Sequence, residues 1–107
     1  MKKLHIALST NDIAASIKDY TTRLGCAPCS EVANEYALWR TESLNFSIRQ
    51  DVSCPAGELR HLGWEDDAAE AFSEQKDING VTWERFSAAQ QAEEINALWP
   101  EAKYLPS

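Results

Sequence analysis

Leu4-His5-Ile6-Ala7-Leu8 and Arg60-His61-Leu62-Gly63-Trp64 each set a histidine into a short apolar run of strand-like composition. Acidic residues follow each run, Asp12 in the first case and Asp66-Asp67 in the second. A helix-like segment and a glycine come next: His5 to Gly25 is 20 positions and His61 to Gly80 is 19. These are the chain's 2 histidines. A strand–helix unit that recurs with one histidine per copy predicts a duplicated module. It also suggests a cleft between the halves that could hold a metal ion.

Working outward, residues 3–9 read as a strand that enters a turn at Ser9-Thr10-Asn11. Asn11 or Asp12 can cap the following helix by accepting from a free backbone N–H. Ile13, Ile17, Tyr20 and Leu24 fall at helical spacing and make one apolar stripe. Gly25 stands where a left-handed C-cap is expected, and Pro28 stops the helix from resuming. Residues 36–40 and 44–50 then read as strands. In the second of these, Leu44, Phe46 and Ile48 alternate with Asn45, Ser47 and Arg49. Ser53-Cys54-Pro55-Ala56-Gly57 marks the boundary between a first module, about 1–57, and a second, about 58–107.

In the second module, Leu59 to Glu65 predicts a strand, and Asp66-Asp67 a cap for a helix over residues 68–76 with Ala68, Ala69 and Phe72 on its apolar side. Asn79-Gly80 ends it, and residues 81–86 form a strand by composition. Ser87-Ala88-Ala89-Gln90 matches the capping box of a third helix, which runs to about Trp99 before Pro100. The tail from Glu101 onward is expected to fray. The predicted order is strand, helix, about three strands, then strand, helix, strand, helix: a mixed α+β chain.

A chain of 107 residues is expected to be a single domain, and its 44% hydrophobic and 25% charged residues are ordinary globular values. No apolar run approaches the roughly 20 residues that span a bilayer. Met1-Lys2-Lys3 lacks a signal-peptide core behind it, so the expected location is cytoplasmic. The net charge of −7 lies wholly in the second half: residues 1–57 balance six acids against six Lys/Arg, whereas residues 58–107 set eleven acids against four. Phosphate backbones require clustered Lys and Arg, so nucleic acid and anionic membranes are not expected partners. Cys26, Cys29 and Cys54 make an odd set, which fits a reducing compartment rather than a disulfide framework.

His-Ile-Ala-Leu-Ser at 5–9 with Asp12, then Ala-Ser-Ile-Lys-Asp-Tyr at 15–20 and Leu24-Gly25, resembles the opening module of the vicinal oxygen chelate superfamily, which includes glyoxalases, bleomycin-resistance proteins and extradiol dioxygenases. Leu44 to Ile48 and Arg60 to Glu65 look closest to its cadmium-induced and arsenic-carbon lyase branch. The resemblance covers roughly residues 3–86. It implies paired βαβββ modules forming a curved mixed sheet, here with the second module truncated and ending in a helix. It further implies a metal in the concave face, with His5 and His61 as the ligands from the first strand of each module. The chain departs from the family in several places. Asn45 stands near the position of a strand-four carboxylate, the Asp-Pro-Asp-Gly-Asn stretch and its following Glu are absent, and the lyase branch's paired cysteines are missing from their place.

Two neutral imidazoles suit Zn, Fe, Ni or Mn as divalent ions. A catalytic site usually takes three protein ligands, for which Glu65 and Glu84 are the in-sequence candidates. The opposing reading is two structural histidines lining a cleft. Arg49, on the polar side of its strand, is the candidate for holding a substrate carboxylate through its planar fork; a solvated sheet face is the other reading. Cys26-Ala27-Pro28-Cys29 follows a helix C-terminus, the wrong end for lowering a thiol pKa, and reads as a loop pair. Trp39, Trp64 and Trp83 read as core.

Two functions follow from this reading. One is a metal-dependent lyase or dioxygenase-like enzyme acting on a small oxygen-bearing substrate. The alternative is a non-catalytic small-molecule binder like the bleomycin-resistance proteins, without metal. A truncated second module leaves a bare sheet edge, so either a homodimer or the last helix lying over the gap is expected.

Overall fold

The computed structural model describes residues 2–106. Strands β1 (Lys2–Thr10), β2 (Ser30–Val32), β3 (Tyr36–Arg40), β4 (Leu44–Gln50), β5 (Leu59–Asp66), β6 (Ser73–Lys76) and β7 (Thr82–Phe86) form one open mixed sheet. Its strand order is β2-β3-β4-β1-β5-β7-β6. The two central histidine strands, β1 and β5, pair antiparallel. Each also pairs in parallel with a later strand, β1 with β4 and β5 with β7. Helices α1 (Ile13–Leu24) and α2 (Ala88–Leu98) complete the α+β chain.

Helix α1 forms as its sequence predicts. The Asp12 side chain accepts from the Ala15 N–H, and Gly25 closes the helix at φ 75°, where a side chain would be strained. Its apolar stripe packs on one face of the sheet over Ala37, Trp39 and Ile48. Helix α2 opens with both halves of the Ser87/Gln90 capping box and ends at Leu98. It covers the opposite face, where Ala92, Ile95 and Trp99 pack on Val32, Tyr36 and Leu38.

Residues 68–76 are not a helix. Asp66 caps a turn, its side chain accepting from Ala68 N–H and its carbonyl from Ala69 N–H. The chain then runs out as β6, antiparallel to β7. Ala68, Ala69 and Phe72 are too few to make a stripe worth burying, whereas Ser73–Lys76 can extend a ready edge. All four residues of β6 are exposed and two are charged, which blunts that edge against pairing with another chain. The last helix lies on a face of the sheet and not over a strand edge.

The tail does not fray as expected. Tyr104 is buried in the α2 cluster, and its backbone N–H and C=O are both bonded to the Asn96 side chain. Of the strand tryptophans only Trp39 is core; Trp64 is 38% exposed and Trp83 half-buried, because no second helix covers the outer face of β5 and β7.

Gly63 lies opposite His5 on β1 and opposite Glu84 on β7. A Cβ at this position would collide with the Glu84 backbone. Gly63→Ala must therefore push β7 aside, and a stability loss of about 1–3 kcal/mol is expected in chemical denaturation.

Candidate metal centre

Strand alternation and register bring the candidate residues to one face. His5 pairs with Gly63 and Ala7 with His61, so the two histidines are diagonal neighbours across the β1–β5 seam. Asn45 on β4 lies opposite His5, and Glu84 on β7 opposite Gly63. The polar side of β4 is thus no solvated surface: Asn45 and Ser47 are buried under α2.

Three ligand atoms converge there. His5 Nε2 and His61 Nε2 are 2.9 Å apart, His61 Nε2 and Glu84 Oε1 are 3.0 Å apart, and His5 Nε2 and Glu84 Oε1 are 4.0 Å apart. A tetrahedral ion with bonds of about 2.0–2.1 Å separates its ligands by roughly 3.3 Å, inside the range these edges bracket. The donor set of two imidazoles and one carboxylate fits a divalent ion of the Zn or Fe(II) kind. Of the two acidic candidates, Glu84 joins the histidines and Glu65 does not.

Glu65 has a different task. It is 3% exposed, and the Arg40 guanidinium grips it through two bonds, Nε to Oε1 at 2.8 Å and Nη2 to Oε2 at 2.9 Å. Burial alone would raise its pKa, but Arg40 and Asn45 outweigh that and hold the carboxyl below its ordinary value. An ionised carboxylate only accepts, so Asn45 Nδ2 must be the atom that faces it, at 2.8 Å. The same nitrogen donates to Gln91 Oε1 at 2.7 Å. Asn45 Oδ1 is then left for His5 Nδ1, 2.8 Å away, with the Asn45 backbone carbonyl at 3.1 Å. Two acceptors place the His5 proton on Nδ1 and turn the bare Nε2 lone pair toward His61 and Glu84. Arg40, Glu65 and Asn45 thus set a tautomer three links away. This is the outer shell a ligating histidine needs.

Burial, and then the neighbouring His61, push the His5 pKa below its usual value, which favours the neutral, ligating form. His61 is set differently: its Nε2 faces two acceptors, the bare His5 Nε2 at 2.9 Å and Glu84 Oε1 at 3.0 Å, so Nε2 carries its proton, which must move to Nδ1 for His61 to ligate an ion.

The trio lies in a cleft between the sheet face and α2. Arg49, the sequence candidate, lines it. So do Arg60 and Glu94, which the sequence reading did not single out. Burial, and next the charge of Glu84, raise the Glu94 pKa. Its signal was present in the sequence: Gln91, Glu94, Ile95 and Leu98 form a helical stripe with two polar members inside it. The cysteines stand apart from the cleft, free, with Cys29 exposed beside Tyr104. Among the described residues, no helix is long and apolar enough to cross a membrane. The chain matches no family model and no curated protein sequence.

Proposed function

We propose that the protein is a metal-dependent enzyme of the vicinal oxygen chelate type, lyase- or dioxygenase-like, with His5, His61 and Glu84 holding a divalent ion. The observation that carries this is the convergence of the three ligand atoms with the His5 tautomer already set for ligation. Strand pairing supports the family reading. The neighbour relation β1–β4 recurs as β5–β7, and β1 meets β5 antiparallel at the centre, as two modules related by a pseudo-twofold would pair. On this reading the second module has lost its helix and one strand. Glu84, on the last strand of the sheet to be laid down, takes the place of the terminal-module carboxylate that the sequence lacks at its usual spacing.

When bound, the ion would supply Lewis-acid polarisation of a substrate oxygen. The chain's own residues do the rest. Arg49 orients an anionic end of the substrate, Glu94 offers a carboxyl at the cleft wall for proton exchange, and α2 screens one side of the cleft from water.

The test is metal content of protein purified without a histidine tag. Chelator-stripped protein is then titrated with Zn, Mn and Ni, and with Fe(II) under anaerobic conditions, against a chromophoric competitor. One ion per chain is expected. No uptake of any of them would overturn the metal reading and leave the small-molecule binder.

A further inference from the structure

Arg60 and His61 are sequence neighbours on one strand, yet both line the cleft. Strict alternation would send Arg60 to the outer face with Leu62 and Trp64. A break in the β1–β5 register prevents this: Ala7 pairs with His61 and Leu8 with Leu59, so Arg60 is the extra residue of a β-bulge. Bulges re-aim side chains and recur beside active sites. This one turns a guanidinium into the cleft.

It meets a second one there. Arg49 lines the same cleft from β4, its guanidinium 5.3 Å over the Trp99 ring. A ring face steadies a cation without neutralising it. Neither arginine has an ion-pair partner among the described residues, whereas Arg23, Arg40 and Arg85 each have one. Glu84 and Glu94 line the same cleft, but neither forms an ion pair with these arginines, so both guanidinium groups keep donors free for charge-assisted bonds to an incoming anion.

We infer that Arg49 and Arg60 form an anion-binding subsite beside the metal centre, so that the substrate is a small carboxylate or phosphate with a further oxygen donor. Arg60 is the part of this site created by the bulge. The inference deepens the metal reading and rests on it only for that second donor, so the two are tested separately.

The experiment uses the full chain, chelator-stripped, at low ionic strength. Inorganic phosphate, acetate and neutral acetamide are titrated by calorimetry. Phosphate or acetate is expected to bind and acetamide not; whichever anion binds at least about tenfold tighter identifies the source as phosphoryl or carboxylate. Arg49→Gln and Arg60→Gln are each expected to weaken that anion at least about tenfold, Arg60→Lys less so, and Arg23→Gln on the far side of α1 not at all. Each variant's circular dichroism and melting curve establish that it is folded. Absence of anion binding, or binding that survives both glutamine substitutions, would overturn the subsite. With metal restored, glycolate is expected to bind more tightly than acetate, because its hydroxyl supplies the extra donor. If the anion binds but no metal does, the metal reading falls and the subsite stands.

Discussion

Replacing His61 by alanine is expected to lower divalent-metal affinity by more than about a hundredfold, or about 2.8 kcal/mol at about 1.4 kcal/mol per factor of ten. The protein is expected to stay folded. Loss of an outer-shell partner alone costs about 10–100-fold, and His61 is one of the three groups proposed to hold the ion directly. It is also the right ligand to remove. Its side chain is 16% exposed and its Nδ1 supports nothing else, so alanine leaves little behind but space. His5→Ala would be a poor probe, since His5 is 3% exposed and packs edge-on against buried Phe86. Glu84→Gln serves as the companion variant, keeping the shape and removing the charge. Competition titration of each variant, with circular dichroism in parallel, gives the measurement. Unchanged affinity in both variants would place the metal elsewhere.

Arg40→Met is expected to be the most destabilising single change at the site, although Arg40 touches none of the three ligands. It strands Glu65 as an unpaired carboxylate that is 3% exposed, a loss of about 3–5 kcal/mol. In a domain of this size that lowers Tm by roughly 12 °C or more. Arg40→Met combined with Glu65→Gln is expected to recover part of the loss, because the buried charge is gone and Gln can still accept from Asn45. The pair also carries a pH signature. The Glu65 pKa is depressed in the folded chain, so its contribution is complete above the unfolded value of about 4.3 and is lost as pH falls through the lower folded value. Wild-type stability should drop below about pH 4.3 in denaturation curves, and the double variant should show less of that drop.

Much of the architecture is legible locally. Asp12, the Ile13–Leu24 stripe and Gly25 define α1 without outside help, and Ser87 with Gln90 defines the start of α2. These are interactions within a few residues of chain, so a sequence carries them whole. Residues 68–76 depart from the expected helix for the complementary reason. Their acidic cap signal is real and is spent on a single turn, while the strand that follows exists only because β7 offers an edge to pair with. Tyr104 is likewise held by Asn96, a partner outside any local pattern.

The site divides along the same line. Sequence alone determined that His5 and His61 sit in matched strand settings and listed both acidic candidates for a third ligand. It also placed Asn45 and Arg49 on one side of β4. Only the tertiary structure decided between Glu84 and Glu65, because the choice depends on which strand lies beside β5 and in what register. It alone set the His5 tautomer through Arg40, Glu65 and Asn45, which come from three strands. It alone turned Arg60 inward, since the bulge appears only when β5 is laid against β1. Periodicity says which side of its own strand a residue takes; which residues then meet is a property of pairing between strands distant in sequence.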